Sequence, residues 1–343
     1  MGIRNYDGNW NADDVSAVQS TVVKEVLTRS GPVEVLKIAC KEKKISRKTG
    51  KTHTMTRWVN PEITALSVPV VEGMTPASMA LEREDYTFTL DFYAFSFAVS
   101  NIEDTFSPWD CKEQMSEIGS DTVKLIRERI RYLEMRSGTT VYYPGVLTAR
   151  NTINSVLTTA MIQKAVRAIK SAKGMPYTSI IKASDGVGTA PVEAAYYAFA
   201  SYDLEIDIRA MTGFTHVSAY PNGSGVHPNE FGKVQNVRFF TSPELVPILD
   251  AGAAIGSLNL RGTTNVDVYP VIVCAKDAVY SIALEGSGKD GYGNLDGSLI
   301  TGRDRTDPHN QRTVMAFDFF DCVKITNEAW IARCEVGATL NPT

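Results

Sequence analysis

The stretch from residue 33 to residue 80 constrains this chain more than any other. It reads as extended β-structure, yet it carries too little apolar material to build a core of its own. Leu36, Ile38 and Cys40 alternate with polar residues. Residues 41–57 are then polar and basic, with Thr49-Gly50-Lys51 placed as a hairpin turn and a returning strand at about 52–58. Residues 60–80 hold Pro61, Pro69 and Pro76, which favour irregular chain. A two-stranded hairpin is marginal alone in water. The excursion therefore needs a surface to lie on, and the expectation is that a sister molecule supplies it.

What surrounds the excursion is better furnished. Asn11-Ala12-Asp13-Asp14 opens an amphipathic helix over 11–28, with Val15, Val18, Val22 and Val26 at helical spacing, and Gly31-Pro32 ends it. Tyr86, Phe88, Leu90 and Phe92 alternate with Thr87, Thr89 and Asp91, a half-buried strand running on to about Ser100. The clearest helix spans 108–137. Ser107 is placed to cap it, Pro108 suits its first turn, Asp110 complements its dipole and Gly138 ends it. Met115, Ile118, Thr122, Leu125, Ile126, Ile130 and Leu133 form a thin apolar stripe, and charge covers the other faces. At 1.5 Å per residue the helix would be roughly 45 Å long, more a strut than a core helix.

A second helix is expected over 152–172, with a broad apolar face. Residues 177–305 alternate strand and loop, with strands at 234–240 and 266–284 and a helix at 243–253. Residues 285–310 form a Gly/Asp/Asn-rich loop, and 314–336 returns to strand.

Composition narrows the function classes. Hydrophobic residues make up 43% and charged residues 22%, enough for a sizeable core, and the formal net charge is −4. That balance does not fit a free-standing nucleic-acid binder. No run of 18 or more apolar residues occurs, so no membrane span is expected. Residues 1–6 lack a secretory build, and Tyr6 breaks the myristoylation pattern, so a cytosolic chain is expected. Cys40, Cys111, Cys274, Cys322 and Cys334 are odd in number without Cys-x-x-Cys spacing, and read as small buried hydrophobes.

Motifs for chemistry are thin. Residues 286–291 match G-x-G-x-x-G, but turn sequence follows where a dinucleotide fold needs a helix. Asp290, Asp296, Asp304 and Asp307 lack EF-hand spacing. His53, His216, His227 and His309 fall in no ligand pattern, and Pro228 makes the nearby pair His227 and Glu230 a loop feature. No G-x-S-x-G elbow exists. Asn222-Gly223-Ser224 reads as a turn. No cofactor, metal or catalytic residue is assigned. The basic stretch holding Lys43, Lys44, Arg47, Lys48 and Lys51 has three readings: a solvated hairpin tip, a contact with a neighbour's acidic surface, or a DNA contact.

Several phrases, in order, carry a resemblance. They are Gly50-Lys51-Thr52, Val71-Glu72-Gly73-Met74-Thr75-Pro76, Tyr86-Thr87-Phe88-Thr89-Leu90 running into Phe97-Ala98-Val99-Ser100-Asn101, Leu147-Thr148-Ala149-Arg150, residues 229–239, residues 266–284, and Trp330-Ile331-Ala332-Arg333. With the element order, they resemble the major capsid proteins of tailed phages with the Hong Kong 97 fold. Within those, the chain is similar to the family typified by coliphage N-four.

The resemblance implies an α+β fold with an N-terminal arm at 1–30 and an extended E-loop hairpin at 31–85. It implies a first part of the P-domain at 86–176 with its spine helix at 107–137, an A-domain at 177–305, and a P-domain return at 306–343. The implied function is the major capsid protein of an icosahedral head enclosing double-stranded DNA without sequence-specific binding. The implied partners are the chain itself, as hexamers and pentamers, a portal, and a scaffolding protein expected to be a separate chain. E-loop residues Lys43, Lys44, Arg47, Lys48 and Lys51 would meet Glu113, Glu117 and Asp121 of a neighbour's spine helix. An encapsulin-like compartment of the same fold, or an enzyme with an unrecognised site, are the rival expectations.

Overall fold

A computed structural model describes residues 31, 33–46, 48–61, 72–75, 80–106, 110–177, 194–220, 225, 227–256, 258, 264–285, 294–300, 309 and 311–339. The helix expected at 11–28, Ser107, Pro108, Arg47 and the 286–291 motif lie outside the described residues. In chain order the elements are β1 Cys40–Ile45, β2 Thr52–Trp58, β3 Arg83–Thr89, β4 Asp91–Ser100, α1 Asn101–Phe106, α2 Cys111–Ser137 and β5 Val141–Tyr142. Next come α3 Thr159–Ser171, β6 Tyr196–Ser201, α4 Glu205–Ala210, β7 Phe214–His216, β8 Glu230–Val234 and β9 Val237–Ser242. The last are β10 Tyr269–Cys274, β11 Val279–Leu284, β12 Asn294–Ile300, β13 Arg312–Ile325 and β14 Ile331–Val336.

Two sheets and a ribbon organise these strands. One sheet has the order β5-β14-β10-β6-β9-β8-β7. The other runs β1-β11-β13-β12, with β4 also on β13. The ribbon is β2 paired with β3. Every residue of β6 and β10 is buried, because the seven-stranded sheet is covered on both faces. On one face lie Met161, Ile162, Ala165, Val166 and Ile169 of α3. On the other lie Tyr132 and Met135 of α2, residues 35–40, and Val279, Val323 and Ile325 from the second sheet. The first half of α2 rests on the aromatic face that β4 and β13 present, Tyr93, Phe95, Phe97, Phe317 and Phe319.

The long helix stands close to where its sequence puts it, but its packing face differs. Its N-cap is Asp110, whose carboxylate accepts the amides of Lys112 and Glu113. Ile118 and Leu133 of the expected stripe are exposed, while Met115, Gly119, Val123, Arg127, Arg131 and Met135 are buried. These recur every four residues, and four residues overshoot one turn of 3.6, so the buried face winds around the helix. It passes from the aromatic sheet face to the junction between sheets. Gly119 is needed there: a Cβ at this position would lie 1.9 Å from Cζ of Phe317.

Other expectations are corrected. The turn before β2 exists, with Gly50 at φ +99, but β1 and β2 do not pair. β1 joins the second sheet in parallel with β11, Cys40 opposite Val279. β2 pairs with β3 instead, which sets Arg57 opposite Glu84 and Thr56 opposite Asp85. Cross-strand charge complementarity favours that partner over the lysine-rich β1. Leu90 separates β3 from β4, so the expected single strand serves the ribbon and then a sheet. Residues 33–46 do not stand apart from the body: Val35, Leu36, Ala39 and Cys40 are buried.

The second helix begins at Thr159, not 152. Residues 153–158 are not helical, Ile153 and Thr158 are extended, and Ile153 offers its carbonyl to the amide of Ala253. The β-branched and Asn/Ser residues of 152–156 favour that form over helix. The strand expected at 234–240 is a tight hairpin, turning at Gln235 with φ 53. Residues 243–253 are turns and a bridge of Ile248 to Val268, since Pro247 has no amide to sustain a helix. The stretch 266–284 divides between β10 and β11, which belong to different sheets. Within 285–310, β12 pairs with β13 despite Asn294, Asp296 and Gly297, weak strand formers whose order comes from the partner strand.

Candidate subunit-contact surfaces

The basic residues singled out by sequence gather at the turn between β1 and β2. Lys43, Lys44, Lys48 and Lys51 are all exposed. Lys43 reaches the Met55 sulfur at 3.6 Å, and Lys51 lies 4.0 Å from Asp91. A hollow of about 280 Å³ lies beneath, lined by Lys43, Lys44, Thr49, His53, Met55 and Ile282 among others. The acidic residues sit on the first half of α2. Glu113 and Glu117 are exposed, and Asp121 is half-buried with Lys124 at 3.2 Å. Within one chain, then, Lys51 and Asp121 have other partners than each other.

The charges that the sequence assigns to a solvated helix face form a buried network. Arg131 is fully buried, 3.0 Å from Glu42 and 3.7 Å from both Glu34 and Glu128. Arg127 donates to Asp321 of β13 at 2.9 Å. Oε1 of Glu128 accepts the amides of Val35 and Leu36, each at 2.8 Å. Burial raises the Glu128 carboxyl above its ordinary value; the two amides and Arg131 offset this only in part. Burial opposes the charge of Arg131, but Cys40, Asp321, Glu128 and Glu42 outweigh it and hold the guanidinium above its ordinary value. The network fastens residues 34–42, the root of the excursion, to α2. The four-residue series from Met115 to Met135 through Arg127 and Arg131 is the one signal of it in the sequence.

Beyond that root stands the ribbon. Its inner face is pinned at the base, where Phe88 and Leu90 are buried with Ile282, and Met55 and Tyr86 pack beside them. Lys324 donates to the Thr87 carbonyl at 3.0 Å. Its outer face carries Thr52, Thr54, Thr56, Thr87 and Thr89, all exposed, and ends in Trp58 at 61% exposure. A large indole left in water beside a row of β-branched hydroxyls suits contact with another surface.

The same geometry offers little to chemistry. Among the described residues, no group of three His, Cys, Asp or Glu side chains could hold a metal ion. Glu230 is spent on Arg238 and on the Tyr220 hydroxyl. Burial pushes the Cys40, Cys274 and Cys334 thiols up to about 12, far from a reactive thiolate. No described helix is long and apolar enough to cross a membrane.

No family model matches the sequence, and no curated protein does. Solved structures do match. The capsid of Ralstonia phage GP4 superimposes with a TM-score of 0.67 at 11% identity, over 95% of this chain and 96% of that one. The capsid chain of cyanophage Pam1 gives 0.62 at 13% identity, over 94% and 96%. That of cyanophage P-SCSP1u gives 0.61 at 13%, over 98% of each chain.

This is the Hong Kong 97-like capsid fold.

The likeness runs over nearly the whole of both chains in each comparison. At 11–13% identity it is a likeness of fold, carried by architecture and not by retained residues.

Proposed function

We propose that this chain is the major capsid protein of a tailed bacteriophage, self-assembling into the icosahedral head around double-stranded DNA. The carrying observation is similarity to phage capsid chains over 95–98% of this chain and 96–98% of those chains. Assembly takes place in the host cytoplasm, through hexamers and pentamers, with a separate scaffolding protein and a portal. The E-loop of this reading is the excursion expected at 31–85, rooted by the buried network and carrying β2 of the ribbon, and α2 is the spine. The ribbon crosses a neighbouring subunit, and Lys43, Lys44, Lys48 and Lys51 face acids such as Glu113, Glu117 or Asp121 there. Arg47 belongs to the same basic set by sequence. Exposed pairs contribute about 0–1 kcal/mol each, so they set register, and strength comes from many contacts per subunit.

The chain acts by heterologous contact repeated until it closes, with no catalytic step. An enzyme-packaging compartment of the same fold has no observation in its favour. The test is negative-stain electron microscopy of the expressed chain, alone and with a co-expressed scaffolding protein. Closed shells are expected; discrete small oligomers under every condition contradict the proposal.

A further inference from the structure

Helix α3 carries a charge bias that no acid among the described residues absorbs. From residue 135 to residue 184 the sequence has seven Lys or Arg and no Asp or Glu, in a chain whose formal net charge is −4. The buried side of α3 is apolar and packed on the seven-stranded sheet. Lys164, Arg167 and Lys170 fall on the opposite side, within an arc of about 120° and about 4.5 Å apart along the axis. All three are exposed, as is Lys173 just past the helix end. Among the described residues none of these four pairs with a carboxylate. Lys164 instead lies 5.2 Å from the centre of the Tyr142 ring.

A groove of about 230 Å³ runs between α3 and the turn at Gln235 and Asn236. Its polar lining is Arg167, Lys170 and the amides of Gln163, Gln235 and Asn236, with no acid. The kind of partner follows from what the face lacks. Its remaining exposed helix residues are Ala160, Gln163 and Ser171, so it has none of the aromatic anchors that dominate protein interfaces. It also lacks stacked rings for the bases of a single strand. A row of unpaired cations beside an acid-free groove fits the phosphate backbone of a duplex, which presents a negative charge about every 1.7 Å.

We propose that Lys164, Arg167, Lys170 and Lys173 form a sequence-independent contact surface for double-stranded DNA. The proposal rests on the capsid reading, which makes DNA the polymer this chain meets. The test uses the purified full-length chain, kept unassembled, and a short DNA duplex followed by fluorescence anisotropy through a salt titration. Neutralising all four positions (Lys164→Gln, Arg167→Gln, Lys170→Gln, Lys173→Gln) should reduce the slope of log affinity against log salt by about 2–4, near 0.9 for each phosphate no longer neutralised. The charge-keeping variant Lys164→Arg with Lys170→Arg and Lys173→Arg should retain the slope, which separates charge from misfolding. Neutralising Lys43, Lys44 and Lys48 should leave it unchanged.

An unchanged slope in the fourfold variant overturns the proposal, as does an equal drop in the Lys43, Lys44 and Lys48 variant. An unchanged slope joined to failed scaffold-dependent assembly would assign the face to an acidic protein instead. Shells with an unchanged slope sink this inference alone, whereas a wild-type chain that never forms shells sinks the capsid reading whatever the slope.

Discussion

The seven-stranded sheet and the β2–β3 ribbon are built by the same chain to different standards of completeness. In β6 and β10 every side chain is buried, and neighbours on both faces come from the chain itself. In β2 no side chain is fully buried, and burial alternates with exposure along its length. The ribbon is closed on one face, at its base, and open on the other. The sheet has already met the entropy of ordering through apolar burial. The ribbon has met it only at its root, so it has the most to gain from a second surface. On the capsid reading that surface is the next subunit.

The contrast can be broken first at the root. Replacing Arg131 by Ala leaves Glu34, Glu42 and Glu128 without their shared cation, and a loss of about 3–5 kcal/mol is expected in chemical denaturation. A loss below about 1 kcal/mol would mean that the network does not fasten the excursion. Gly119→Ala tests the helix that carries that root. Its methyl would strike the Phe317 ring, and the expected cost is about 1–3 kcal/mol from overpacking, read in the same melts.

A smaller effect concerns pH. The Glu128 carboxyl is raised in the folded state, so its contribution to stability is fully present below its unfolded value and is lost as pH rises through the folded one. Wild type should therefore lose stability relative to Glu128→Gln as pH climbs from the ordinary glutamate value of about 4.3. A gap between the two that stays flat over this climb would contradict the raised value. The smallest effect on the isolated chain is at the ribbon tip. Trp58→Ala should change stability by less than about 0.5 kcal/mol, since the indole is largely in water, yet lower the yield of assembled particles. Normal assembly by this variant would remove Trp58 from the contact.

What the sequence discloses follows the range of the interactions. The long helix, the turn at Gly50 and the alternation from Tyr86 to Leu90 are local patterns of capping, backbone freedom and alternation, and they stand close to their expected places; past Leu90 the alternation changes phase and leaves Phe92 exposed. Strand partnership is not local. Nothing near Cys40 announces Val279, so local pattern pairs β1 with the wrong strand. β12 takes its form from β13, and its own composition argues for loop. Among candidate contact residues, the exposed lysines and glutamates are legible because charge usually marks surface. The same rule hides Arg127, Glu128 and Arg131, whose charges are compensated by residues far along the chain.

Amide hydrogen exchange on the unassembled and assembled chain tests the contrast most directly. The ribbon amides of residues 52–58 and 83–89 should gain protection on assembly, while those of β6 and β10 stay as slow as before. Ribbon amides that exchange alike in both states would contradict the claim that a neighbouring subunit completes what the chain leaves open.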